Sequence, residues 1–117
     1  MLTVHHALAF LVMGVCLLAA VLALAAYRRQ GSGGLVVAHA LALAQTLIVA
    51  QVAVGSLLLA DHRHADKRVH YMYGGLAVLA VAWPWLYAPA DPRRRLAWFA
   101  GATLLAAVLA VRAYMTA

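Results

Sequence analysis

Charge is scarce in this chain of 117 residues: 10% are charged, and only three are Asp or Glu. A soluble domain carries about 25% charged residues and about 45–50% apolar ones. Here the hydrophobic set reaches 68%, more than a fold of this size can hide from water. Lipid is therefore the expected solvent. The three acids, Asp61, Asp66 and Asp91, all fall between apolar runs. A transporter or pump driven by a carboxylate at membrane depth is thereby set aside. The single cysteine, Cys16, excludes an intrachain disulfide and reads as a small core residue. There is no phosphate-binding loop and no Ser-His-Asp set. The length allows one domain, residues 1–117.

What is present is long apolar runs. A membrane-crossing helix needs about 20 mostly apolar residues. Four runs qualify, at about 4–26, 35–60, 70–88 and 96–114. The connections YRRQGSGG, DHRHADKRV and PADPRRR are short. Consecutive helices are then antiparallel neighbours, and the expected fold is an all-α, four-helix transmembrane up-down bundle. Gly31, Gly33 and Gly34 suit a helix stop and a tight turn. Pro89 and Pro92 end the third helix and open the fourth. Pro84 lies inside the third run and is expected to kink it. The first run lacks a basic N-terminal region and reads as a mature helix, not a signal peptide.

A net charge of +6 would point a soluble protein to nucleic acid. Here the basic residues cluster between apolar runs, as in membrane-protein loops facing anionic lipid, so no nucleic-acid partner is expected. Arg28, Arg29, Arg93, Arg94 and Arg95 fall on one side. Arg63, Lys67, Arg68 and Arg112 fall on the other, where Asp61 and Asp66 dilute the charge. The positive-inside rule then puts both termini outside the cytoplasm, in a cell inner (plasma) membrane. Tyr27, Tyr71, Tyr73, Tyr87 and Tyr114 near helix ends form an interfacial belt. Trp83 and Trp85 read as packing residues.

Three of the six histidines, His62, His64 and His70, lie in one polar island, Asp61–Gly75. His5 and His6 open the first helix and His70 opens the third. Those helices run the same way, so their histidines share a depth near the outer surface. Two imidazoles there can clamp a metal or take opposite faces of a porphyrin, which makes haem b the expected cofactor. Gly74, one turn beyond His70, would give a flat ring room beside the backbone. Phe10, with Met13 or Gly14, would form an apolar wall below His6. Arg63, Lys67, Arg68 and Arg112 would meet the propionates. Gln51, with Gly55 one turn on, forms a helix contact or hydrogen-bonds a ligand; Gln45 is a second amide at depth. His39, at the opposite membrane face, reads as structural. His62 and His64 read as loop residues, or as copper or zinc ligands with His70 or the N-terminal pair. The competing reading has every histidine interfacial, in a cofactor-free structural or assembly protein.

The segments HHALAFLVMGVCLLAAVLALAAYRR, LALAQTLIVAQVAVGSL and HYMYGGLAVLA carry a resemblance. Together, from His5 to Tyr87, they resemble one four-helix half of the haem A synthase family. The resemblance implies His6 or His5, together with His70, as axial haem ligands. That family has a glutamate three residues before the first histidine, where this chain has Leu2 or Thr3, and an outer-loop cysteine pair that this chain lacks. Haem binding therefore carries over better than haem oxidation. The implied roles are electron transfer, haem handling or a small respiratory-chain subunit. The implied partners are the bilayer and a second copy of the chain or a larger membrane complex.

Overall fold

The computed structural model describes residues 2–29, 34–60 and 68–116. Those residues form four helices and no strand: α1 (Leu2–Arg28), α2 (Gly34–Ala60), α3 (Val69–Tyr87) and α4 (Pro92–Met115). The expected bounds hold to within two residues for the first three. α4 begins four residues earlier than expected, because Asp91 caps it. The Asp91 carboxylate accepts a hydrogen bond from the Arg94 amide, 3.1 Å away. Pro92 occupies the first helical turn, where a missing N–H costs nothing. Arg93, Arg94 and Arg95 are therefore helical and not part of a loop. Gly34 opens α2 at φ +62°, a conformation that only glycine adopts without strain. Gly31 and Gly33 lie outside the described residues.

α1, α2 and α4 are long and apolar enough to cross a membrane, which is compatible with a multi-pass membrane protein. α3 is the shortest, at 19 residues, and carries Tyr71, Tyr73, Trp83, Trp85 and Tyr87. Its length still reaches about 28 Å, close to the hydrocarbon thickness of about 30 Å. It remains one helix across the buried Pro84, with the Ala88 amide bonded to the Pro84 carbonyl at 2.9 Å.

Contacts between ends establish the up-down order. Gln51 near the end of α2 reaches His5 at the start of α1. His70 at the start of α3 reaches Ala113 at the end of α4. Arg93 at the start of α4 reaches Tyr27 at the end of α1. α1 packs on α2 and α4, and α3 packs on α4; α2 and α3 touch only sparingly, and α1 and α3 are not neighbours. α1 and α3 are thus diagonal, and the bundle is loosest along α2–α3.

The core is built from small side chains. Cys16, Ala19, Ala20, Ala23, Ala44, Ala100 and Ala106 are all fully buried. Leu17, Leu18, Val21, Leu79, Leu105 and Val108 face outward instead. Lipid explains this inversion. Apolar surface gains nothing by leaving lipid, so helices associate by close backbone approach, which small residues permit. The Cys16 thiol contacts the Ala44 carbonyl at 4.0 Å, in the α1–α2 seam.

Aromatic and polar contacts tie together the end opposite the histidines. The Arg93 guanidinium lies 4.1 Å from the Tyr27 ring centre and donates to the Tyr27 carbonyl at 3.3 Å. That carbonyl is one of those a helix C-terminus leaves free. Trp85 Nε1 donates to Gln45 Oε1 at 2.9 Å, bridging α3 to α2. Its ring meets Phe99 edge-on at 5.2 Å. Trp83 and Trp85, expected as packing residues, are 55% and 63% exposed, and Trp83 stacks on Tyr87. His39 is exposed, and its Nδ1 lies 2.8 Å from the Leu35 carbonyl of its own helix.

Candidate functional site

Because α2 and α3 barely touch, a cavity of about 620 Å³ remains at the histidine end of the bundle. Residues of all four helices line it, among them His5, His6, Gln51, Gly55, His70 and Gly74. A volume in this range suits a ligand of cofactor size. The histidines that sequence spacing placed at one depth do meet here. The ring centres of His5 and His70 are 6.1 Å apart, with their planes inclined at 77°. His6 follows at 6.5 Å from His5 and is exposed, whereas His5 is half-buried. These side chains bring the diagonal helices into contact at this end.

Each imidazole is placed by specific neighbours. His70 Nδ1 donates to the Ala113 carbonyl at 2.7 Å. A carbonyl can only accept, so the proton sits on Nδ1 and the neutral ring keeps its Nε2 lone pair free. Hydrogen bonding of the second ring nitrogen is how metal-ligating histidines are usually oriented. His5 is held differently. Its main-chain carbonyl accepts from Gln51 Nε2 at 3.0 Å. Its ring rests against α2 at Gly55, where an added Cβ would stand 3.1 Å from His5 Cε1. Glycine is needed there for the ring to lie so close. The buried His5 Nδ1 and the buried Gln51 Oε1 have no hydrogen-bond partner. Such orphans are unusual in a native structure and mark where a ligand or water would be satisfied.

Gly74 faces open space, with nothing within 4 Å of where its Cβ would be. It lines the cavity. The wall below the histidines differs from expectation. Ala9 and Val12 line the cavity, while Phe10, Met13 and Gly14 do not. The cause is a one-residue phase shift: His5 is the more enclosed of the two lining histidines, and the positions one and two turns beyond it are Ala9 and Val12. Phe10 instead packs on Tyr114 at 5.0 Å between ring centres. Arg112 stands at the cavity's rim, its guanidinium 5.6 Å from the centre of the lining Tyr73 ring. Arg68 is exposed at the start of α3. Arg63, Lys67, His62 and His64 lie outside the described residues. The sequence reading missed the Ala113 carbonyl, for which no side-chain signal exists, and Ser56 and Tyr114 in the lining.

Among the described residues, no group of three or more His, Cys, Asp or Glu side chains is placed to hold a bare metal ion. A metalloporphyrin brings four equatorial donors of its own and asks the protein for one or two. Metal–imidazole bonds of about 2 Å on opposite faces would put the two ring centres roughly 6 Å apart, the separation found for His5 and His70. The space at Gly74 and the small lining residues Ala9, Gly55, Ser56 and Ala77 suit a flat ring.

Comparison with protein-family models, with curated proteins and with solved structures gives no match.

Proposed function

We propose that this chain is an integral membrane b-type haem protein, whose haem His5 and His70 would hold near the extracytoplasmic end of the bundle. Its role would be electron transfer, haem handling or service as a small respiratory-chain subunit. The observation that carries the reading is the 6.1 Å separation of the two rings in the wall of a cavity of about 620 Å³ whose lining includes Gly55, Gly74 and Gly75. His5 is preferred to His6 because it is the nearer and more enclosed ring. The resemblance to one half of the haem A synthase family belongs to this proposal, as does the placement in a plasma membrane with both termini outside. Oxidation of haem is not part of it, since Leu2 and Thr3 offer no carboxylate.

When bound, the haem would supply a one-electron couple. The chain's own residues do the rest. His70 presents Nε2 in an orientation fixed by the Ala113 carbonyl. Gly55 admits the His5 ring, and Ala9, Val12 and Ala77 keep the interior apolar. Arg112, beside the lining Tyr73, and the exposed Arg68 at the start of α3 would meet carboxylates at this end.

The test is a visible spectrum of the detergent-purified protein after expression with haem supplied. A Soret band with sharp reduced α and β bands, lost in His70→Ala, is expected. A colourless preparation sinks the proposal and favours a cofactor-free structural or assembly subunit.

A further inference from the structure

We infer that the two imidazoles are unequal: His70 is the fixed ligand and His5 the exchangeable one. The His5 side is then where a small neutral molecule of the diatomic class binds. This rests on the haem reading above.

The asymmetry lies in the hydrogen bonds. The His70 ring is tied to another helix, through its 2.7 Å bond from Nδ1 to the Ala113 carbonyl. To release its metal it would have to break that bond or carry α3 away from α4, the helix on which α3 principally packs. The bond also makes Nε2 the more basic ligand atom. Among the described residues, no hydrogen bond holds the His5 ring. Its buried Nδ1 has no partner, so neither its tautomer nor its rotation is fixed by hydrogen bonding. Van der Waals contact with α2 at Gly55 positions it. Gln51 pins the His5 backbone, not the side chain. The ring can therefore swing while α1 stays in place, and the step breaks no protein hydrogen bond.

The space for an incoming molecule is on the same side. The orphaned Gln51 Oε1 belongs to a cavity-lining residue bonded to His5. Both unsatisfied buried atoms of the site thus belong to the His5 side, while the His70 ring nitrogen on the protein side is satisfied. A molecule displacing His5 needs only rotation of a side chain in the first turns of α1, on the helix diagonal to α3.

Carbon monoxide is the probe, read optically on the haem-loaded protein in detergent. The reduced wild type should show a six-coordinate spectrum that carbon monoxide converts saturably to its own adduct. His5→Ala should keep its haem and bind carbon monoxide about tenfold more tightly, because no internal ligand competes. His70→Ala should lose haem affinity by at least about tenfold, within the range seen when buttressed ligation is disrupted. Added imidazole should restore a six-coordinate spectrum to His5→Ala. A six-coordinate wild type unmoved by carbon monoxide overturns this inference and leaves the haem reading standing. So does equal haem loss in the two variants, or greater loss in His5→Ala. Absence of haem from the wild type overturns both.

Discussion

Replacing Gly55 by alanine should separate folding from ligand binding, because the structure assigns the two effects opposite signs. Gly55 lies within α2, where glycine costs about 1 kcal/mol relative to alanine. On the bare helix, Gly55→Ala is therefore stabilising. The new Cβ, however, would stand 3.1 Å from His5 Cε1 and 3.8 Å from Nδ1. Carbon contacts are most favourable at about 3.5–4.0 Å, so the ring must retreat by about half an ångström. In the ligand-free protein it can turn away, since no hydrogen bond holds it. With haem bound, the ring must remain at the metal. An off-rotamer side chain costs about 1 kcal/mol, which corresponds to roughly a fivefold loss of affinity. The assay pairs a thermal melt of the ligand-free protein, followed by circular dichroism, with haem titration. Gly55→Ala should melt no lower than wild type while binding haem about fivefold more weakly. Gly14→Ala is the control, since nothing lies within 4 Å of that position. It should gain the same helix stabilisation with unchanged haem affinity. Equal affinity in Gly55→Ala and Gly14→Ala would refute the assignment of His5 as a ligand seated on Gly55.

Two further predictions concern the frame. Asp91→Ala removes the cap that accepts from the Arg94 amide and should cost about 1 kcal/mol; a lowered melting temperature checks it, and Asp91→Asn should recover most of the loss. Ala100→Leu forces a larger side chain into a fully buried position and should cost about 1–3 kcal/mol through overpacking. Leu105→Ala, on an outward face of α4, should leave the melt nearly unchanged by comparison.

The fold was largely legible because length and hydropathy alone specify long apolar helices, and short connections order them. The depth of the site was legible for the same reason: His5 and His70 begin helices running the same way, so they had to lie at one end. Three features were not. Which histidine turns inward depends on the rotation of α1 about its axis, and an all-round apolar helix gives that rotation no sequence signal. This is why the wall was expected at Phe10 and Met13 and is found at Ala9 and Val12. The anchor of His70 is a main-chain carbonyl, which every residue possesses. The early start of α4 turns on Asp91 acting as a cap, whereas Pro92 and three arginines read as loop.

The two ends of the α2–α3 seam explain why the site lies where it does. At one end, Trp85 ties α3 to both neighbours at the surface, donating to Gln45 on α2 and meeting Phe99 on α4 edge-on. At the other end, the cavity lining includes Gly55 and Ser56 from α2 and Gly74 and Gly75 from α3. Side chains this small cannot close the gap, so the helices that are pinned at the tryptophan end leave a cavity at the histidine end. The histidines enter that cavity from α1 and α3, the diagonal pair of the bundle. Adjacent helices would bring their histidines together along a packed seam with no room between them. A diagonal pair facing each other across glycines leaves room for a planar group, and the neighbouring helices supply the supports: Gly55 on α2 for one ring, the Ala113 carbonyl on α4 for the other.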